Sequence, residues 1–242
     1  MIIRGKRSGG RAVSKRIFSA LAWVAAVSGT SLLGTSSLVA AEKVEPPSLQ
    51  EWRQANVATV EGYVIPRYRS LAGQAAQLSA ATDAFCADPQ AASLSSAQQA
   101  FHDTMDAWQG IQHIRFGPIE TLMRNYSMQF WPDKKNHVGK RLSQLVASKD
   151  QGLLDGQAFY QVAVSVRGLP ALERLLFDAD AIAQMQADPF RCRVTMRIAD
   201  YVEEMGLGIV DEWHNSMLPH FRNAGPNDSY FEDHLDAAVA LL

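Results

Sequence analysis

The chain has 242 residues, 20 % of them charged and 47 % hydrophobic, a balance that suits one globular domain or two small ones and excludes a disordered tail or a coiled-coil rod. Its formal net charge of −2 hides an asymmetry: residues 1–41 carry Arg4, Lys6, Arg7, Arg11, Lys15 and Arg16 and no acid, so 17 basic residues face 25 acidic ones in the remainder, a net of −8. An acidic body without a basic stripe argues against nucleic acid as a partner, and two cysteines are too few for a multi-cysteine zinc or iron–sulfur site.

The basic stretch ends at Arg16, and an uncharged run follows until Val39-Ala40-Ala41, small residues at the places a signal peptidase reads, just before Glu42. This pattern predicts a signal peptide over 1–41 and one mature domain over 42–242. Ser and Thr residues dilute the run, which disfavours a retained membrane anchor. No cysteine lies near the predicted cut and no Arg-Arg pair precedes the run, so neither lipidation nor a twin-arginine route is expected. The expected location is the periplasm or cell envelope, as a soluble protein with no membrane association.

Residues 49–85, rich in Ala, Gln, Leu and Val, predict a long helix kinked where Pro66 removes a hydrogen bond. A second helix is expected to open at Ser95, with Gln98 completing a capping box, and to carry Phe101, Met105, Trp108 and Ile111 until Gly117-Pro118. Residues 125–137 hold Tyr126, Phe130, Trp131 and Pro132, then a polar turn. Residues 138–149 predict a short amphipathic helix and 156–177 a longer, mostly apolar one broken by Gly168 and Pro170. Asp188-Pro189 has the form of an N-cap and first helical position, followed by Val194, Ile198, Val202, Met205, Ile209 and Trp213 at steps of three and four. The Gly206 and Gly208 pair inside that stripe signals close helix packing. After a turn at 223–228, a last helix is expected over 230–242.

No segment alternates apolar and polar residues for long enough to suggest a sheet, so the expected fold class is all-α, an antiparallel helical bundle. Cys86 lies three residues before Pro89 and Cys192 three residues after Pro189. If one helix ends and another begins at those prolines, antiparallel packing brings the sulfurs together; a Cys86–Cys192 disulfide is expected, the alternative being two buried free thiols.

Chemistry-bearing motifs are few. There is no Gly-x-Ser-x-Gly elbow, no phosphate-binding Gly-rich loop and no Glu-x-x-His pair; Asp211 with His214 is the nearest match to a helical ligand pair, and His113 and Glu120 are seven apart across Pro118. Charges in apolar surroundings are the better lead. Glu173 lies in the apolar segment 169–177 beside Arg174 and after Arg167, Glu120 follows Arg115, and Asp133 follows Trp131-Pro132. Such acids either hold a ligand or form structural ion pairs with Arg115, Arg167 or Arg174.

Four strings in order, Ala107-Trp108-Gln109-Gly110, Arg115-Phe116-Gly117-Pro118-Ile119-Glu120, Phe130-Trp131-Pro132-Asp133 and the run from Gly168-Leu169-Pro170 through Glu173-Arg174 to Phe177, resemble the imelysin-like family of secreted bacterial proteins. The resemblance implies an all-helical fold of two related bundles, a periplasmic location and an association with iron uptake or regulation; the family was once classed with metallopeptidases. Its signature is Gly-x-His-x-x-Glu. Here the matching positions are Gly168, Pro170 and Glu173, so the histidine that would share a metal with the glutamate is replaced by a residue with no side-chain donor. Glu173 is left as the weak candidate ligand for iron or another divalent metal. The apolar end, 237–242, suggests a second bundle cut short. The expected function is therefore a non-catalytic binding or accessory protein linked to iron uptake or regulation. Its polar inter-helix pocket is expected to involve Arg115, Glu120, Trp131, Asp133, Arg167, Gly168 and Glu173 and to take a small ligand or a segment of a periplasmic protein. The alternatives are a metal-dependent peptidase-like hydrolase using Glu173 with His113 or His214, and a degenerate structural bundle with no ligand.

Overall fold

In a computed structural model, residues 45–242 are described; the expected signal segment lies outside the described residues. Helix α1 (Leu49–Thr59) opens with a reciprocal capping box, in which the Glu51 amide donates to Ser48 Oγ and the Ser48 amide donates to the Glu51 carboxylate at 2.7 Å. It runs through a five-residue π-turn (Val60–Val64) into α2 (Ile65–Ala87). The wide turn sits immediately before Pro66, whose ring would clash with a regular helical carbonyl, so the expected kink is taken up as a π-bulge. The same solution recurs later: α9 (Pro189–Glu212) passes through a π-turn (Trp213–Met217) into α10 (Leu218–Asn223), with Pro219 in its first turn.

The two stretches share a pattern. Val60, Val64 and Ile65 precede Pro66-Arg67-Tyr68 as Trp213, Met217 and Leu218 precede Pro219-His220-Phe221, and all four apolar or aromatic residues of each set are buried. Tyr68 and Phe221 both stack on Trp213, with centroids 6.1 and 6.2 Å away. This aromatic knot fastens the ends of the two long helices together.

Helix α3 (Ala91–Gln109) returns antiparallel along α2, and α9 lies antiparallel on the other side of it, giving a three-helix core with α2 in the middle. The register of α2 on α9 is read from three contacts. Cys86 is bonded to Cys192 with Cα atoms 5.5 Å apart, Ser79 Oγ donates to Asp200 at 2.7 Å, and a Cβ at Gly206 would come within 3.0 Å of the Ala72 Cα. Gly206 thus serves close helix packing, as its place in the stripe suggested.

Short helices surround this core: α4 (Arg124–Met128), α5 (His137–Ser148), α6 (Gly156–Phe159), α7 (Leu169–Leu176), α8 (Ala181–Ala187) and α11 (His234–Ala240). Helix α7 packs its buried face, Leu169, Leu172, Leu175 and Leu176, against α3 and α9, and α5 leans on α7. No strand occurs among the described residues.

Several expected boundaries move. Helix α3 begins at Ala91 and not Ser95, because Gln90 and Ser93 form the capping pair and α2 ends at Ala87, one residue before Asp88. It stops at Gln109, ahead of Gly117-Pro118. The expected long helix over 156–177 is two short helices joined by a 3-10 turn (Val164–Val166), and the last helix starts at His234, where Asp233 accepts from the Leu235 and Asp236 amides. The helix from Asp188-Pro189 forms as expected, with Asp188 accepting from the Phe190 amide.

Candidate functional site

The face of α7 that does not pack inward meets α3, the 129–133 loop and the start of α5 around a cleft of about 810 Å³. Phe101, His102 and Met105 form the α3 wall. Pro170, Glu173, Arg174 and Phe177 form the α7 wall, and Phe130, Trp131 and Asp133 close the third side. The walls are fixed by ring contacts: Phe177 meets Phe101 and His102 edge-on at centroid distances of 5.3 and 5.1 Å. Trp131 is 76 % exposed, and this exposure leaves its face open to a ligand. A cis peptide bond joins Trp131 to Pro132. Trp131 and Gln129 also line a smaller cavity of about 170 Å³ with Trp108, Gln112 and Arg115, and Gln129 is held there by the Trp108 indole N–H at 2.8 Å.

Asp133 is positioned by the backbone. Its two carboxylate oxygens accept from the His137 and Val138 amides at 2.6 and 3.0 Å, so it caps α5 while facing the cleft. Partial burial raises its pKa, but those two amides together with nearby His137 and Arg174 outweigh it and hold the carboxyl below its usual value. With Glu173 and Asp178 opposing only Arg174, the cleft lining is acidic.

The seven residues singled out from the sequence do not converge. Trp131, Asp133 and Glu173 share the cleft, and Arg115 joins Trp131 in the small cavity. Glu120 lies elsewhere, exposed near Tyr230, whose phenol pKa is raised by burial and by this carboxylate. Glu173 is exposed and makes no ion pair among the described residues, which corrects the expectation of a buried acid: it occupies the solvent face of an amphipathic helix whose other face carries the leucines. The buried charge is Arg167, 7 % exposed. Gly168 is required sterically, since a Cβ there would lie 1.6 Å from the Ser127 carbonyl oxygen. His113 contacts Tyr63, with Nε2 3.4 Å from its hydroxyl, and His214 contacts Asn215; neither lines the cleft.

Sequence reasoning missed His102, which belongs to no local motif and is brought to Phe177 by the α3–α7 packing. It also missed the Arg124–Glu212 pair, a two-pronged ion pair at 2.7 and 2.8 Å in which Arg124 also donates to the Pro118 carbonyl. Local sequence gives no sign of either, because the partners are 75 and 88 residues apart.

The imelysin family model matches residues 64–241, which includes both long helices and the whole cleft. The chain belongs to the imelysin family. It is 29 % identical over 182 residues to iron-regulated protein A of Synechococcus elongatus, a match covering 72 % of this chain and 46 % of that protein, so the chain spans about half the length of this curated relative. Two solved structures share the fold with a TM-score of 0.65: an imelysin-like protein of Psychrobacter arcticus (17 % identity, 81 % of this chain and 60 % of that one) and an iron-regulated protein A precursor of Parabacteroides distasonis (16 %, 82 % and 57 %).

Against the signature Gly-x-His-x-x-Glu, this imelysin keeps the backbone and loses the donor. Gly168 precedes α7 as its N-cap, Pro170 occupies the first turn, and Glu173 follows one turn on, with Pro170 and Glu173 both on the cleft wall. No group of three or more His, Cys, Asp or Glu side chains is placed to hold a metal ion among the described residues. The donor set at α7 therefore does not fit a resident metal. No helix among the described residues is long and apolar enough to cross a membrane.

Proposed function

We propose that this imelysin is a non-catalytic binding protein of the periplasm or cell envelope, linked to iron uptake or regulation, and that its ligand occupies the cleft between α3, α5 and α7. The observation that carries the reading is the cleft lining itself: an open Trp131 face and three further aromatic rings beside Asp133, Glu173 and Asp178, in a volume of about 810 Å³ suited to a small organic molecule. Aromatic faces attract cations through their quadrupole, and the carboxylates add charge of the same preference, so a small organic cation is the ligand class this chemistry favours. The iron link rests on the names of the relatives and on the family, and a secreted location rests on the 1–41 pattern and on the relative named as a precursor.

The test is calorimetric titration of the secreted protein with a panel of organic amines, run beside metal analysis of protein from iron-supplemented cells. Saturable amine binding that weakens in Trp131→Ala and Glu173→Ala supports the reading. Stoichiometric metal lost in Glu173→Ala, with no amine binding, would replace it with the metal-dependent reading.

A further inference from the structure

The α3–α7 cleft and the smaller cavity of about 170 Å³ share two lining side chains, Gln129 and Trp131, yet their polar linings are opposite in kind. The cleft carries Asp133, Glu173 and Asp178 against Arg174. The smaller cavity has no carboxylate in its lining among the described residues, and Arg115 is its one charged residue. An acidic compartment and a basic one thus have a wall in common.

Arg115 is anchored in its backbone and free at its head. Ile114 before it is buried and its carbonyl accepts from the Tyr68 hydroxyl at 3.3 Å, while Phe116 after it meets Trp213 edge-on with centroids 5.5 Å apart. The Arg115 side chain is exposed and engages no carboxylate, carbonyl or ring among the described residues. Two half-buried amides of the same lining add donors. The Trp108 indole N–H and the Tyr126 backbone N–H can only donate, so the amide atoms they meet, Gln129 Oε1 and Asn125 Oδ1, each at 2.8 Å, are fixed as oxygens. The accepting ends of both amides are thereby engaged, and Gln129 Nε2 and Asn125 Nδ2 have no partner among the described residues. A lining whose charge is a guanidinium and whose two oriented amides offer N–H groups suits a ligand group that only accepts, and the planar partner of a guanidinium fork is a carboxylate.

We propose that the two cavities form one bipolar site whose ligand is a small zwitterion: its ammonium group lies among the carboxylates and rings of the cleft, its carboxylate accepts from Arg115, Asn125 and Gln129, and the apolar stretch between them covers the exposed Trp131 ring. This rests on the reading of the cleft as a site for an organic cation and adds the second charge of that ligand. The chain beyond residue 41 has a net charge of −8, so long-range attraction favours a bare amine over a zwitterion; a preference for the zwitterion therefore comes from local contacts at its carboxylate.

The test is calorimetric titration at fixed ionic strength with ω-amino acids of increasing length, from γ-aminobutyrate through ε-aminocaproate to ω-aminocaprylate, each beside the plain amine and the plain carboxylate of the same length. At least one ω-amino acid is expected to bind about tenfold more tightly than its matched amine, the scale of one hydrogen bond to a charged group, and its matched carboxylate more weakly than either. Arg115→Gln, at an exposed residue with no partner to lose, should bring that amino acid down to the affinity of its amine, and Arg115→Lys, which keeps the charge and loses the fork, should retain part of the advantage. Lys134→Gln removes an exposed cation outside both linings and should leave the advantage intact. Amines that bind while no amino acid binds more tightly overturn the bipolar site and leave the cation reading of the cleft standing; no binding of amines or amino acids overturns both. An advantage that survives Arg115→Gln, or a carboxylate that binds as tightly as its amino acid, also overturns the bipolar site.

Discussion

At Gly168 the requirement is one of space. Its φ of −148° is ordinary extended backbone, and what excludes any other residue is the Ser127 carbonyl where a Cβ would sit. Gly168→Ala must therefore push α4 away from the start of α7, and a loss of at least about 3 kcal/mol is expected in denaturant unfolding, at the upper end for overpacking because the obstacle is backbone and cannot rotate aside. Asp228 shows a different kind of dependence. Its carboxylate accepts from the Tyr230 and Phe231 amides at 2.7 and 2.8 Å and from His220 Nδ1 at 2.8 Å. Burial raises its pKa, but His220 and the two amides outweigh this and the net shift is downward. With the folded pKa below the unfolded one, the unfolded chain binds the proton first, so the stabilisation is fully present above the ordinary carboxyl pKa of about 4 and is lost as pH falls through the depressed value. Asp188, lowered by the Lys149 ammonium and the Arg191 and Phe190 amides against the opposing effect of burial, has the same sign. Asp228→Asn is expected to be less stable at pH 7 by about 1–3 kcal/mol, the scale of a hydrogen bond to a charged group, and the gap should close as pH falls through the depressed pKa of Asp228; chemical unfolding at stepped pH measures both.

Among the elements, the long helices were legible from sequence because their signals are local: Asp188-Pro189 as cap and first turn, and apolar steps of three and four through Ile209. The disulfide was legible for the same reason, since each cysteine sits near a helix end marked by proline. It closes 106 residues of chain. Cys86→Ser with Cys192→Ser is expected to lose about 4–5 kcal/mol by the chain-entropy model, readable as a lower denaturant midpoint with a steeper slope, because the unfolded chain without its cross-link exposes more surface. What could not be read was decided by tertiary contact. The 156–177 segment is mostly apolar, yet it turns at 3-10 geometry so that Arg167 reaches Tyr201 and Gly168 reaches Ser127. Glu173 looked buried because five of its seven neighbours over 169–176 are apolar, and only the helical phase, with Leu169, Leu172, Leu175 and Leu176 all facing inward, puts it outside. The π-turns before Pro66 and Pro219 belong between these cases: proline announces an irregularity, while its form depends on the Trp213 knot that both turns help to build.

For the whole molecule, the cleft takes its α3 wall from the α2–α3–α9 core, while Glu173 stands on the outer face of α7 and outside that core, and this difference decides which changes are informative. Glu173 is exposed and unpaired among the described residues, so Glu173→Ala should leave stability within about 0.5 kcal/mol of wild type, and any loss of binding in that variant is a property of the cleft. Pro170 offers the converse experiment. It stands in the first turn of α7, where helical geometry tolerates most residues, and its side chain borders the cleft three residues before Glu173. Pro170→His would set an imidazole and a carboxylate on one face, the spacing at which a helix presents two ligands to one ion. Two donors with His102 and Asp133 on the facing walls are a better set than Glu173 alone, so Pro170→His is expected to acquire saturable divalent-cation binding in equilibrium dialysis, lost again in the double variant with Glu173→Ala. If Pro170→His binds no cation although it folds like wild type, the facing walls hold their donors too far apart. The divergence of this imelysin from the family motif would then reside in the shape of the cleft as well as in one substituted residue.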